Sequence, residues 1–487
     1  MGKIAYWQLK RKLEKKSFSF WHTTGEKLAL RLFHRAAKEV PAYKDFLHKN
    51  NVVVKSIKTI DNFKNLPLIN KENYLSQYSL NDLCWNGEIK KGGIISQSSG
   101  TTGRPYYWPR FVCNDQDTAF LHELIFKELY NSDKKATLFI VCFHLGAHVA
   151  GIITSNAIKD LIDDGMPGSL VTTGLNKKDI FNAVKDLSPY FDQTILIGYP
   201  PFLKDIIIEG EDLGINWADK KIKFLFSAES FPEEWRERLF QKIGVPNTEQ
   251  GGYNIYGSAD LGLMGHETPF SIRLRKHLVR GGMDRKKLGI EGTHVPGFYQ
   301  CHPWQKYFEV VDQELVCTSD PGIPLIRYNT KDVGLIFDPK ILLEATECKR
   351  QVGDWSLPML LVFGRSNYNA TVYGVNIYPE QIREILNKQE LIGMFAGRFF
   401  LKTVFVEMNQ ILEIHVEVLK NKDMECQVKL EGLNELFAQF LQSINAEYKK
   451  LCEAVGKSAH PVIKLYSFGS EDFLGLKSKH KYICNNK

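Results

Sequence analysis

The nine cysteines of this 487-residue chain include no Cys-x-x-Cys pair, and their number is odd. That excludes the disulfide framework of small secreted domains and points to free thiols in a reducing compartment. Cys301-His302, followed by Pro303, is the nearest approach to a metal cluster. It lacks a second spaced Cys/His pair, so no zinc site is expected. No apolar run reaches the length needed to span a bilayer. Met1 to Trp7 lead into a basic helical pattern without an apolar region or small-residue cleavage site, so no signal peptide is read. Gly2 follows Met1, but Tyr6 stands where N-myristoylation wants Ser or Thr. The Gly-x4-Gly-Lys-Ser/Thr pattern of a Walker loop is missing, as are repeats and low-complexity tracts. A cytoplasmic protein without a membrane span is expected.

What is there suits a globular protein. The length exceeds one ordinary core, and two unequal domains are expected. Hydrophobic residues make up 44% and aromatics 12%, ample for a packed interior. The net charge of +7 is mildly basic, which fits anionic ligands equally with a solvated surface and does not argue for nucleic acid.

Residues up to about 90 read as helices with polar connections; Leu28, Leu30, Leu32 and Phe33 precede Ala36-Ala37 at spacing compatible with a packed helix. Beyond them, short apolar runs at Thr137–Val141, Gln193–Ile197 and Ile222–Phe226 alternate with helical stretches. Such alternation predicts an α/β core with buried strands. Arg273 to Lys276 and Gly281 to Lys287 make residues 272–300 read as a long basic loop, solvated or facing an anionic ligand or partner. After Phe363 the pattern predicts strands over Phe399–Val406 and Ile411–Val418, a helix over 428–453 and a strand over Pro461–Tyr466. That makes a small α+β domain.

Ser98-Ser99-Gly100-Thr101-Thr102-Gly103-Arg104-Pro105 is the most informative stretch. Its glycines let backbone N–H groups approach a polyanion, its hydroxyls add donors and Arg104 adds fixed charge. A polar surface turn is the alternative.

The run resembles the phosphate-binding loop of the adenylate-forming superfamily, in its phenylacetate-CoA ligase-like and capsule-biosynthesis-like branch. Four further segments follow in the family's order: Phe226 to Arg236, Tyr256-Gly257-Ser258-Ala259-Asp260, Pro324 to Asp332, and Gly364 to Glu380. With Val40 to Lys44, the resemblance covers nearly the whole chain. It implies a large multi-sheet α/β domain over 1–363, with the ATP and acyl sites, and a small mobile α+β lid over 364–487.

The resemblance also implies roles. Ser98, Ser99, Gly100, Thr101, Thr102, Gly103 and Arg104 would hold phosphates. Ala228 and Glu229 would border adenine, Tyr256 would stack on it, and Gly257 and Ser258 belong to the same motif. Asp260 would hold Mg²⁺, Asp332 would accept from the ribose hydroxyls, and Arg365 would lie near ribose and phosphates. Lys479, with Lys477 as the alternative, would reach the adenylation transition state. Segment 142–151 and Gly198 to Pro201 would line the acid's tail; His144 and His148, four apart, would share a helix face. Three positions depart from the family: Ala259 for a hydroxyl residue, Asp260 for Glu, and Asn367 at the hinge.

The expected reaction is ATP-dependent formation of an acyl-adenylate from a small carboxylic acid, then transfer to a thiol. CoA is the expected acceptor, with an amine or a carrier protein as the alternative. A non-catalytic nucleotide-binding homologue is the rival from another class. ATP, Mg²⁺ and CoA are therefore the expected cofactors, and a homodimer is compatible with the reading.

Overall fold

The computed structural model describes residues 6–90, 93–97, 106–146, 149–290, 295–346, 348–351, 354–365, 370–386, 388–391, 393–419 and 430–470. Ser98 to Arg104, His148, Asn367, Lys477 and Lys479 lie outside them.

One sheet of eleven strands dominates, and it changes character across its width. Gly252–Ser258, Ile222–Ser227, Gln193–Gly198, Thr137–Cys142 and Gly168–Thr172 are parallel neighbours. The three apolar runs read as strands are its centre, and their side chains are buried almost throughout, as parallel strands covered by helices on both faces require. From Gly252–Ser258 outward the pairing turns antiparallel, through Gly262–His266, Gly297–Cys301, Met359–Arg365, Leu325–Phe337, Glu314–Ser319 and Lys306–Val311. The seam between the two halves is thus the strand that carries Tyr256, Gly257 and Ser258. Crevices outside the carboxyl ends of parallel strands are where α/β sheets take ligands.

The N-terminal helices cover the antiparallel half. Phe18–Glu39 buries Leu28, Leu32, Phe33 and Ala36 in a core shared with Tyr307, Leu325 and Ile326. A two-stranded ribbon, Ile94–Gln97 with Tyr107–Arg110, brings both flanks of the 98–105 stretch together, with Gln97 opposite Tyr107.

The first part of the basic stretch near 272–300 is not a solvated loop, whereas Gly281, Gly282, Lys286 and Lys287 are exposed, as the solvated reading expects. Arg273 to Lys276 lie in the helix Pro269–Val279, where Ile272 and Leu274 are buried. Arg275 pairs with Glu233 at 2.5 Å, and Arg273 with Asp354 at 2.6 Å. Met283, Leu288 and Ile290 then anchor the following turns in a core with Phe270, Phe298 and Leu361. Charge count alone suggested solvent; partners far along the chain make these arginines structural.

The C-terminal part is a small α+β unit. The hairpin Ala370–Val372 with Val375–Ile377 turns through Tyr373 and Gly374, both at positive φ, as a tight hairpin turn demands. Phe395–Val406, Asn409–Val418 and Val462–Tyr466 form a three-stranded sheet. The single helix expected over 428–453 is two, Leu430–Ile444 and Ala446–Val455. Asn445 breaks it, because its side chain caps the second helix by accepting from the Tyr448 N–H at 3.0 Å. No described helix is long and apolar enough to cross a membrane.

Candidate active site

A cavity of about 670 Å³ opens at the carboxyl ends of the parallel strands, along the seam. Ala228, Glu229, Tyr256, Gly257, Ser258, Asp260 and Asp332 all contribute to its wall. Residues more than a hundred positions apart in sequence are thereby gathered at one place.

Ala228 follows the strand Ile222–Ser227 and has φ of 76°, the left-handed region a side chain with a Cβ seldom enters. Strained backbone of this kind clusters at ligand sites. Glu229, next in the chain, turns its carboxylate toward the C-terminal part, where it accepts from the Gly374 N–H and from the Gln410 amide. Burial pushes its pKa up to about 7, with those two donors pulling it back only in part.

Tyr256 donates its hydroxyl to Asp332 at 2.5 Å and stacks on Tyr299, ring centroids 5.4 Å apart. Behind them lies a buried polar scaffold. Asn254 donates to the Tyr299 hydroxyl at 3.2 Å and to the Glu229 carbonyl at 2.8 Å, while its own N–H meets Glu267 at 2.8 Å. Arg236, fully buried, joins Glu267 at 2.6 Å to Glu233 at 3.0 Å. Burial works against the Glu233 charge, but Arg236 and Arg275 outweigh it and hold the carboxyl below its usual range. This wall of the cavity thus rests on fixed, paired charges.

Arg365 stands directly opposite Asp332 in the register between Leu325–Phe337 and Met359–Arg365. The Ser258 hydroxyl accepts from the Leu261 N–H at 3.2 Å and closes the turn after its strand. Asp260 is buried; its Oδ2 receives the Tyr328 hydroxyl at 2.6 Å and the Lys71 ammonium at 3.1 Å. One carboxylate of this kind is what Mg²⁺ needs from a protein when phosphate oxygens supply the rest. Among the described residues no group of three His, Cys, Asp or Glu could hold a metal alone. Cys301 and His302 are both buried.

At the other end Phe143, His144, Ala150 and Tyr199, within the segments read as the acid's surroundings, line the cavity together with Ile153, just beyond them. His144 precedes the helix Val149–Asp163, so it shares no helix face with His148. Sequence reasoning missed Lys71, His122, Tyr299, Gly374 and Gln410, all in the wall. None lies within a motif segment that singled it out for this role, except that Gly374 falls inside the hinge segment.

No family model matches the chain. The phenylacetate-coenzyme A ligase of Pseudomonas putida is 23% identical over 358 residues, covering 70% of this chain and 69% of its own. The Thermus thermophilus enzyme of that name is 21% identical over 436 residues, covering 84% and 86%. Among solved structures, 2-hydroxyisobutyryl-CoA ligase with 2-HIB-AMP and CoA in its thioesterification state has a TM-score of 0.68 at 14% identity, covering 98% of this chain and 92% of that one. The open form of the same ligase scores 0.53, covering 96% and 91%.

Proposed function

We infer that this chain, a member of the adenylate-forming superfamily by its fold and its sequence likeness, activates a carboxylic acid with ATP and hands the acyl group to a thiol, with CoA as the acceptor. In the first step a carboxylate oxygen attacks the α-phosphorus of ATP, the bond to the bridging oxygen breaks, and pyrophosphate leaves. In the second a thiolate attacks the acyl carbonyl and AMP departs.

The observation that carries this reading is the Tyr256–Asp332 pair beneath the seam strand, in one cavity with Asp260 and the apolar pocket of Phe143 and Tyr199. Asp332 would hold the ribose, since a carboxylate accepts from two hydroxyls at once. Tyr256 and Tyr299 offer a flat aromatic wall for adenine. Asp260 would hold a Mg²⁺ ion, whose contribution is to neutralise phosphate charge. Lys71, within 3.1 Å of Asp260, adds positive charge at the same end. Ser98 to Arg104 would cradle phosphates, and Lys479 or Lys477 would attend the first step. Both reactants are anions, so charge neutralisation and in-line positioning are what the protein must supply.

We place the lid at residues 364–487 and its pivot near Asn367. Its rotation between steps would withdraw the lysine and bring the Tyr373–Gly374 hairpin to the cavity. The test is pyrophosphate release from Mg-ATP across aromatic, aliphatic and amino acids, first without and then with CoA. Acid-dependent release followed by a CoA thioester is expected. Release that yields product only with an amine would move the acceptor; ATP binding with no release from any acid would overturn adenylation.

A further inference from the structure

His122 lies on the helix Val112–Tyr130 and is one of the residues lining the cavity, with only 1% of its surface exposed. Its Nδ1 is 2.9 Å from the Thr118 carbonyl, one turn back. A carbonyl can only accept, so Nδ1 carries the proton and Nε2 presents a bare lone pair. Among the described residues nothing donates to Nε2. Burial lowers the ring's pKa to about 4, and the nearby Arg110 guanidinium pushes the same way, so the imidazole stays neutral and Nε2 stays an acceptor.

The ring is also held from behind. Arg110 donates to Asp115 at 2.9 Å, to the Asn114 carbonyl at 3.1 Å and to the Thr118 hydroxyl at 2.7 Å. Thr118 in turn fixes His122. The neighbouring helix Val149–Asp163 packs against this one and gives Ala150, Ile153 and Thr154 to the same cavity. A rigid acceptor in a mostly apolar pocket is the arrangement by which a site demands a donor from its ligand. A buried acceptor left unmade keeps its whole desolvation penalty.

We propose that His122 is a specificity-determining residue of the acyl pocket, accepting a hydrogen bond from a hydroxyl on the apolar body of the acid, so that the substrate is a hydroxylated carboxylic acid. This rests on the adenylation reading above. A hydroxyl fits better than an ammonium, because the Arg110 field that disfavours an imidazolium disfavours any added cation beside it.

The test compares kcat/KM for pyrophosphate release from matched acids: phenylacetic, benzoic and hexanoic acids against their singly hydroxylated forms, with the full-length protein and Mg-ATP. At least one hydroxylated acid is expected to exceed its parent by about 100-fold. His122→Phe is expected to bring that ratio close to one by gaining activity on the parent acid. His122→Gln, which retains an acceptor, should preserve part of the preference. If His122→Phe does not fold, the wild-type ratios decide. Release with equal or greater efficiency from the unhydroxylated acids would overturn the inference and leave adenylation standing; a water shared with the buried His266 would give that result. Release from no acid, with ATP bound, would overturn adenylation and this inference together.

Discussion

Glu229 grips the C-terminal part through both carboxylate oxygens, taking the Gly374 N–H on one and the Gln410 side-chain amide on the other. Gln410 completes the clasp by accepting from the Tyr373 N–H at 2.7 Å. The surrounding contacts share this direction: Trp235 donates to the Met408 carbonyl at 3.1 Å, and Lys204 to Asn409 at 2.7 Å. One face of the large sheet's helices therefore holds a hairpin and a strand that lie 140 or more residues further along the chain.

Gly374 is the position where this contact is least forgiving. Its φ is +80°, and a Cβ there would run into the Tyr199 ring. Gly374→Ala thus meets both backbone strain and a clash. Because the hairpin belongs to the lid arrangement proposed for thiol transfer, acyl-adenylate formation should persist while thioester formation falls by about 10-fold or more, taking roughly 1.4 kcal/mol or more as the strain. Single-turnover assays of the two half-reactions separate them. Equal losses in both would mean that the hairpin serves the whole fold instead.

The Glu229 carboxyl also predicts a pH dependence. Its pKa is about 7 when folded against an ordinary 4.5, because burial penalises the charge more than the Gly374 and Gln410 donors stabilise it. Between those values the folded chain keeps a proton that the unfolded chain has released. Stability from this group therefore falls as pH rises from about 4.5 to about 7. The full effect is about 3 kcal/mol. Glu229→Gln removes the titration, so its unfolding free energy relative to wild type should rise across that window. Urea denaturation at several pH values measures it; a difference that stays constant with pH would show that folding does not raise this carboxyl's pKa.

The motifs Tyr256 to Asp260 and Pro324 to Asp332 were legible because each is a short run on a single strand or turn. The core strands were legible because parallel burial leaves a continuous apolar signature. What was illegible depends on partners distant in the chain. Arg273 and Arg275 looked like solvated charge because Asp354 and Glu233, which bury them, lie 81 and 42 residues away. Glu229 lay inside a recognised segment, yet Gln410, which fixes its orientation, has no motif and meets it across 181 residues. The break at Asn445 was hidden by apolar spacing on both sides, and only its role as a cap reveals it. Lys71 opens the short helical segment Lys71–Leu75, whose sequence carries no ligand pattern.

Arg236 gives the scaffold its own test. It is fully buried between Glu233 and Glu267 and also donates to the Gly252 carbonyl at 3.1 Å. Arg236→Leu would leave buried carboxylates short of a counter-charge, at a cost of about 3–5 kcal/mol. Chemical denaturation should show that loss. A smaller loss, under about 1 kcal/mol, would mean that Arg275 and water suffice for the two carboxylates.

Asp332 is the sharpest test of the nucleotide assignment. Its carboxylate is buried and already receives the Tyr256 hydroxyl at 2.5 Å, which orients it within the cavity wall. If it holds the ribose, Asp332→Ala removes charge-assisted hydrogen bonds and the bond it receives from the Tyr256 hydroxyl. ATP affinity should fall about 100-fold or more. Tyr256→Phe keeps the stacking ring and loses the orienting bond, so a loss nearer 10-fold is expected. The double variant should lose less than the sum of the two, since both act through one carboxylate. Calorimetric titration with ATP measures all three. Unchanged affinity in Asp332→Ala would move the ribose elsewhere in the cavity, whereas strict additivity would mean that Tyr256 contributes by contacts of its own and not by aiming Asp332.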